Sequence, residues 1–262
     1  MSIAKWLGAS LGWSFGGPIG AIIGMALGSV VDAVASGQKD IFLDEGQPRT
    51  KQRRRNTYRT QSRTRQRPQT QSGDFEVSLL ILASVVIKAD GSQDQRELNF
   101  VRQQFTSMYG KQRANKAFKL FKNISKQNIS TRQVCLQIKQ MMDHPSRLQL
   151  LHFLFGIARA DTHVTEKEIK QIYTISGYLG ISSKDFESIK GMFYNLKENA
   201  YKILEIPKTA TNDEVKKAYR KMAKKYHPDR VAHLGEEHQK GAEEKFRQVQ
   251  EAYELIQTER GF

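Results

Sequence analysis

The chain is 262 residues long, enough for more than one domain, and carries a formal net charge of +15 from 42 basic and 27 acidic residues. That excess favours an acidic counterpart: an anionic membrane surface, a nucleic acid or an acidic protein face. The single cysteine, Cys135, excludes an intrachain disulfide framework and a cysteine-built zinc site, and a reducing compartment is expected.

Trp6 to Val31 is an uncharged run of 26 residues between Lys5 and Asp32. A helix of that length spans about 39 Å at ~1.5 Å per residue, more than the ~30 Å hydrocarbon core of a bilayer. Gly8, Gly12, Gly16, Gly20, Gly24 and Gly28 recur every four residues, so they share one helical face where a second backbone can approach closely. Residues 1–35 are therefore expected to form one transmembrane helix, kinked near Pro18 and suited to homodimer formation through the glycine face. A free glycine-rich tail would be a poor helix in water. The run is too long for a cleaved signal peptide, and it has no charged face for lying on a surface.

Residues 36–74 read as a disordered basic linker. Gln47 to Ser72 holds Arg49, Lys51, Arg53, Arg54, Arg55, Arg59, Arg63, Arg65 and Arg67 and no acid. Nine cations on this side against Lys5 on the other place the C-terminal bulk in the cytoplasm, with the span in the inner membrane. Only Tyr58 could stack on a base, so lipid headgroups are the expected neighbour and no nucleic-acid partner is expected.

From Phe75 onward the pattern is all-α. Apolar residues at helical spacing run through Val77–Val85, Leu98–Met108, Ala117–Ile124, Val134–Met142, Leu148–Ala158 and Ile169–Leu179. Within residues 75–195, Lys88-Ala89-Asp90-Gly91 through Leu98 aligns with Arg159-Ala160-Asp161-Thr162 through Ile169, at an offset of 71. Each copy is an apolar helix, a loop opening Ala-Asp, and an amphipathic helix. Two such hairpins make a pseudo-symmetric bundle. Asp90, Glu97, Asp161 and Glu168 could converge as an oxygen-rich metal site. Locally, however, Asp94-x-x-Glu97 and Thr165-x-x-Glu168 read as capping boxes, and the spacing is not that of an EF-hand. His152 and His163 read as ordinary helix or loop residues. The paired segments resemble the TerB-like domain, which implies an all-helical fold with the two acidic loops as metal-binding positions. Thr162 stands where the first loop has Gly91.

In residues 196–262, Thr211-Asn212-Asp213-Glu214 is a capping box. It opens a helix with Val215, Ala218, Tyr219, Met222, Ala223 and Tyr226 on one face. Lys216, Lys217, Arg220, Lys221, Lys224 and Lys225 form the other face, with no acid after Glu214 in the helix. That face suits an acidic docking surface. The helix stops at His227-Pro228-Asp229, because proline disfavours α geometry in the residue before it. A polar loop leads through Gly235 to a second helix with Ala242, Phe246, Val249, Ala252, Tyr253 and Ile256 inward. Antiparallel packing of the two helices leaves His227-Pro228-Asp229 at an exposed tip, and Ala200–Pro207 forms a short helix over the base.

The run from Ala200 to Arg230, followed by Ala242–Ile256, closely resembles the J-domain of DnaJ-like proteins. The resemblance implies that His227, Pro228, Asp229 and the basic face bind a DnaK-type chaperone and stimulate its ATP hydrolysis. The chain ends at Phe262, so the family's last short helix is expected to be curtailed. No glycine/phenylalanine-rich region or cysteine zinc centre follows. No nucleotide loop or nucleophile–base pair occurs, so no enzyme activity and no cofactor are expected. The order of segments resembles membrane-anchored co-chaperones of the DnaJ family. The alternative reading makes the TerB-like domain a metal or envelope-stress sensor with the J-domain as its output.

Overall fold

The computed structural model describes residues 72–88, 95–125, 129–160 and 164–262. The glycine stripe, the linker up to Gln71, Asp90 and Asp161 lie outside them, and the last three residues assigned to the linker, 72–74, are helical. The described residues are helical, without a strand. Nine α-helices follow in order: α1 (Ser72–Ile87), α2 (Gln95–Ile124), α3 (Thr131–Met141), α4 (His144–Ala158), α5 (Glu166–Tyr178), α6 (Ser183–Met192), α7 (Leu196–Ile203), α8 (Asn212–Lys225) and α9 (Glu236–Arg260), with a 3₁₀ segment (Pro228–Leu234) between the last two. No described helix is long and apolar enough to cross a membrane.

The 71-residue repeat is visible in the helix boundaries. Helices α1 and α4 end at Ile87 and Ala158, and α2 and α5 begin at Gln95 and Glu166, each pair at that offset. Helices α1 and α4 pack together at the centre of the bundle. Both are apolar around most of their circumference, as largely enclosed helices must be: Leu79, Leu80, Ile81, Leu82, Leu150, Leu151, Leu154 and Ile157 are all fully buried.

The 95–124 stretch is two limbs, as its two apolar runs indicate. Gly110 sits between them at φ 76°, ψ 161°, a region open to glycine and costly for other residues. Arg102 Nη2 donates to Asn115 Oδ1 at 3.1 Å. A straight helix would separate those residues by about 20 Å, so the chain doubles back at Gly110.

Short-range caps set the remaining boundaries. Thr165–Glu168, Ser182–Asp185 and Thr211–Glu214 each form a capping box. Asn195 caps α7, whose C-terminus closes in a Schellman motif: Ile206 N–H donates to Tyr201 O at 3.0 Å and Glu205 N–H to Lys202 O at 3.0 Å. The position usually given to glycine is held by Glu205, at φ 59°. A non-glycine residue in that region costs about 1 kcal/mol.

Candidate functional site

The hairpin of α8 and α9 is built as its pattern requires. Val215, Ala218, Met222 and Tyr226 of α8 are buried, as are Ala242, Val249, Ala252 and Ile256 of α9. Tyr219 and Tyr253 stack at 4.3 Å between ring centroids. The far end of α9 is tied to the base: Arg260 donates to Lys208 O at 2.6 Å and to Tyr201 Oη at 3.0 Å, and Tyr201 Oη donates to Glu259 Oε2 at 3.2 Å. Arg260 carries no motif, and its carbonyl partners lie about fifty residues away, so sequence reading passed over it.

The tip lies where the pattern places it. His227 caps the 3₁₀ segment, its Nδ1 accepting from the Asp229 backbone N–H at 3.3 Å. The His227 ring stands edge-on to Phe246 at 5.7 Å, while the side chains of His227 and Asp229 remain 50% and 86% exposed. Proline at the first position of the 3₁₀ segment removes a donor that would have no partner there. The connection to α9 is not the polar loop expected: Val231 and Leu234 are buried.

The basic face needs a correction. Lys216, Lys217, Arg220, Lys221 and Lys224 are exposed. Lys216 lies 5.3 Å above the Phe262 ring, and Lys221 pairs with Glu205 at 3.2 Å. Lys225 does not share the face. Its side chain is 17% exposed and its ammonium bonds both Asp185 of α6 and Glu205. The sequence shows no acid in α8 beyond Glu214; the acids come from elsewhere in the fold. Asp185 also accepts from Ser182 Oγ at 2.7 Å and faces His144 Nε2 at 3.4 Å. Burial alone would raise the Asp185 pKa. Hydrogen bonds from His144, Lys225 and Ser182, with the charge of Lys225, hold it well below the usual carboxylate range instead.

Lys225 is part of a broader dock between this hairpin and the bundle. Pro145 and Leu148 of α4 line one small cavity with Tyr226, His227, Arg230 and Val231. His233 Nε2 lies 3.2 Å from Ser146 Oγ. His238 is fully buried, 2.9 Å from Tyr109 Oη and edge-on to Phe75 at 4.5 Å. Lys245 is 3% exposed and donates to Gln149 Oε1; burial pushes its pKa down to about 7, against the raising charge of Glu244. His152, its ring tilted against that of Phe193 at 4.6 Å, is held below its usual range by burial and by Lys245. It is a helix residue, as its sequence context indicates, and it is buried in the dock.

Of the four suspected metal ligands, Glu97 and Glu168 are described, and both are buried. Glu168 accepts from Thr165 N–H at 2.7 Å and Thr165 Oγ1 at 2.8 Å, the capping role. Among the described residues no group of three or more histidine, cysteine, aspartate or glutamate side chains could hold a metal ion.

Comparison with known proteins follows this division of the chain. The family model described as "Co-chaperone DjlA transmembrane domain" matches residues 1–54, that of "Tellurite resistance protein TerB" residues 76–191, and that of the "DnaJ domain" residues 199–260. Among curated proteins, the chaperone protein DnaJ of Fusobacterium nucleatum is 47% identical over 60 residues, 23% of this chain and 15% of that protein. Those of Lactiplantibacillus plantarum (52% over 59 residues, 22% and 14%) and Staphylococcus carnosus (49% over 63 residues, 24% and 15%) are similar in the same way. The chain thus spans about 15% of the length of these relatives. No solved structure matches it. An anchor segment, a TerB bundle and a DnaJ hairpin, in that order, match the arrangement of a DjlA-like membrane co-chaperone.

Proposed function

We propose that the chain recruits a DnaK-type chaperone to a membrane face and stimulates its ATP hydrolysis through α8 and the His227-Pro228-Asp229 tip. The observation that carries this reading is the tip itself: an exposed histidine and aspartate, linked to each other and braced on Phe246, at the joint of a packed helical hairpin. Lys216, Lys217, Arg220, Lys221 and Lys224 supply a cationic approach for an acidic surface and speed encounter. His227 acts as a contact residue and performs no proton transfer. Hydrolysis takes place in the partner.

The nine cations of residues 47–72 support an inner-membrane anchor with the helical domains in the cytoplasm. The residue blocks 75–195 and 196–262 then act as bundle and effector. An ATP-turnover assay with a purified DnaK-type chaperone tests the reading. The wild type raises turnover and His227→Gln returns it to the unstimulated rate. Equal stimulation by both proteins overturns the proposal.

A further inference from the structure

The positive excess of this chain is confined to two stretches. Residues 47–72 hold nine cations and no acid, and so does Leu98–Met142, with Arg102, Lys111, Arg113, Lys116, Lys119, Lys122, Lys126, Arg132 and Lys139. The remainder carries 24 cations against 27 acids. The first stretch overlaps the end of the segment, residues 1–54, matched by the membrane-anchor model. The second lies inside the folded bundle, and its densest part is the 111–124 limb of α2.

That limb is amphipathic in a specific way. Ala114, Ala117, Phe121 and Ile124 are buried, whereas Lys111, Lys116, Lys119 and Lys122 are exposed. At ~100° per residue, Lys111, Lys119 and Lys122 lie within about 80° of one another, with Lys116 about 60° beyond. None of the four makes an ion pair among the described residues, whereas Arg113 on the other side is neutralised by Glu76 at 2.9 Å. Half-buried Phe118 and Leu120 flank the lysine stripe, apolar surface over which lysine stems extend.

We infer that this limb is a second membrane contact, a face that binds anionic lipid headgroups and holds the bundle against the bilayer that anchors the chain. Charge complementarity selects the partner class, since cations near an anionic leaflet are attracted and the effect fades within a Debye length. The N-terminal anchor keeps headgroups at high effective concentration. Nucleic acid fits less well: Phe118, the aromatic beside the stripe, stacks on Phe121 and carries Arg102 above it, which leaves no free ring for a base.

The test uses the full chain in nanodiscs of phosphatidylcholine, with or without phosphatidylglycerol. Cys135 is buried, so a Gln112→Cys variant takes a fluorescent label beside the stripe. Nitroxide at the lipid headgroups should quench that label in anionic discs and much less in neutral ones. Replacing all four lysines with glutamine in the same background should abolish the difference; each lysine contributes roughly a fivefold change in surface partition. Unchanged helical circular dichroism confirms that the variant is folded, since all four side chains are exposed. Equal quenching in both lipids, or quenching that survives the fourfold substitution, overturns the inference. So does protection of the label by added RNA but not by anionic lipid. The readout involves no chaperone, so it stands or falls apart from the ATPase assay.

Discussion

At the residue scale, Lys245 and Thr165 illustrate the two ends of what a sequence discloses. Thr165 meets its partner Glu168 three residues away, and that pattern is written in the chain itself. Thr165→Ala should cost about 1 kcal/mol of stability in urea denaturation. Lys245 meets Gln149 at a separation of 96 residues, and nothing in its neighbourhood marks it as buried. Its folded pKa of about 7 lies below the ordinary value of 10.5. Between those values the unfolded chain holds a proton that the folded chain lacks, so this group makes stability rise with pH. The stabilisation is complete above the unfolded pKa and is lost as pH falls through the folded one. The slope is at most about 1.4 kcal/mol per pH unit. Lys245→Met should abolish that rise, as urea midpoints at pH 7 and pH 9 would show. Neighbouring His152 stays neutral through this window, its pKa held below the ordinary value by burial and by Lys245.

At the element scale, helices were readable wherever apolar spacing was regular, and the capping boxes Thr165–Glu168 and Thr211–Glu214 stand where their spacing indicates. The repeat was readable because both copies keep the same helix ends. The basic face of α8 was readable in composition but not in allocation. Lys225 lies on a helix whose other lysines are solvated, and only the packing of α6 and α7 beside it brings Asp185 and Glu205 to its ammonium. Lys225→Met leaves those two carboxylates without their shared cation. It should cost about 3 kcal/mol in equilibrium unfolding, in the range for breaking a buried pair from one side. The positive φ of Glu205 is sustained by the same cluster, since its side chain also receives Lys221.

At the scale of the whole molecule, the TerB and DnaJ matches were legible as two domains, and their union was not. One continuous apolar core runs through both, from Phe75 and Leu80 to Val249 and Ile256. The dock depends on contacts such as His238 with Tyr109 and Gln248 with the Met192 carbonyl at 3.3 Å, which have no local signature. The helical part should therefore unfold in a single calorimetric transition, with calorimetric and van't Hoff enthalpies equal. Two separated transitions would show that the domains are independent.

The position of Lys225 has a thermodynamic consequence beyond stability. Its ammonium has two internal claimants, Asp185 and Glu205, and lies on the helix that the proposed chaperone would approach. Two binding events that draw on one group are linked, and the linkage is reciprocal: whatever factor the first imposes on the second, the second imposes on the first. If the proposed chaperone drew on Lys225, a ligand that engaged Asp185 would leave the ammonium to Glu205 alone and ease its transfer. By the same factor, such a chaperone would then open Asp185 to that ligand.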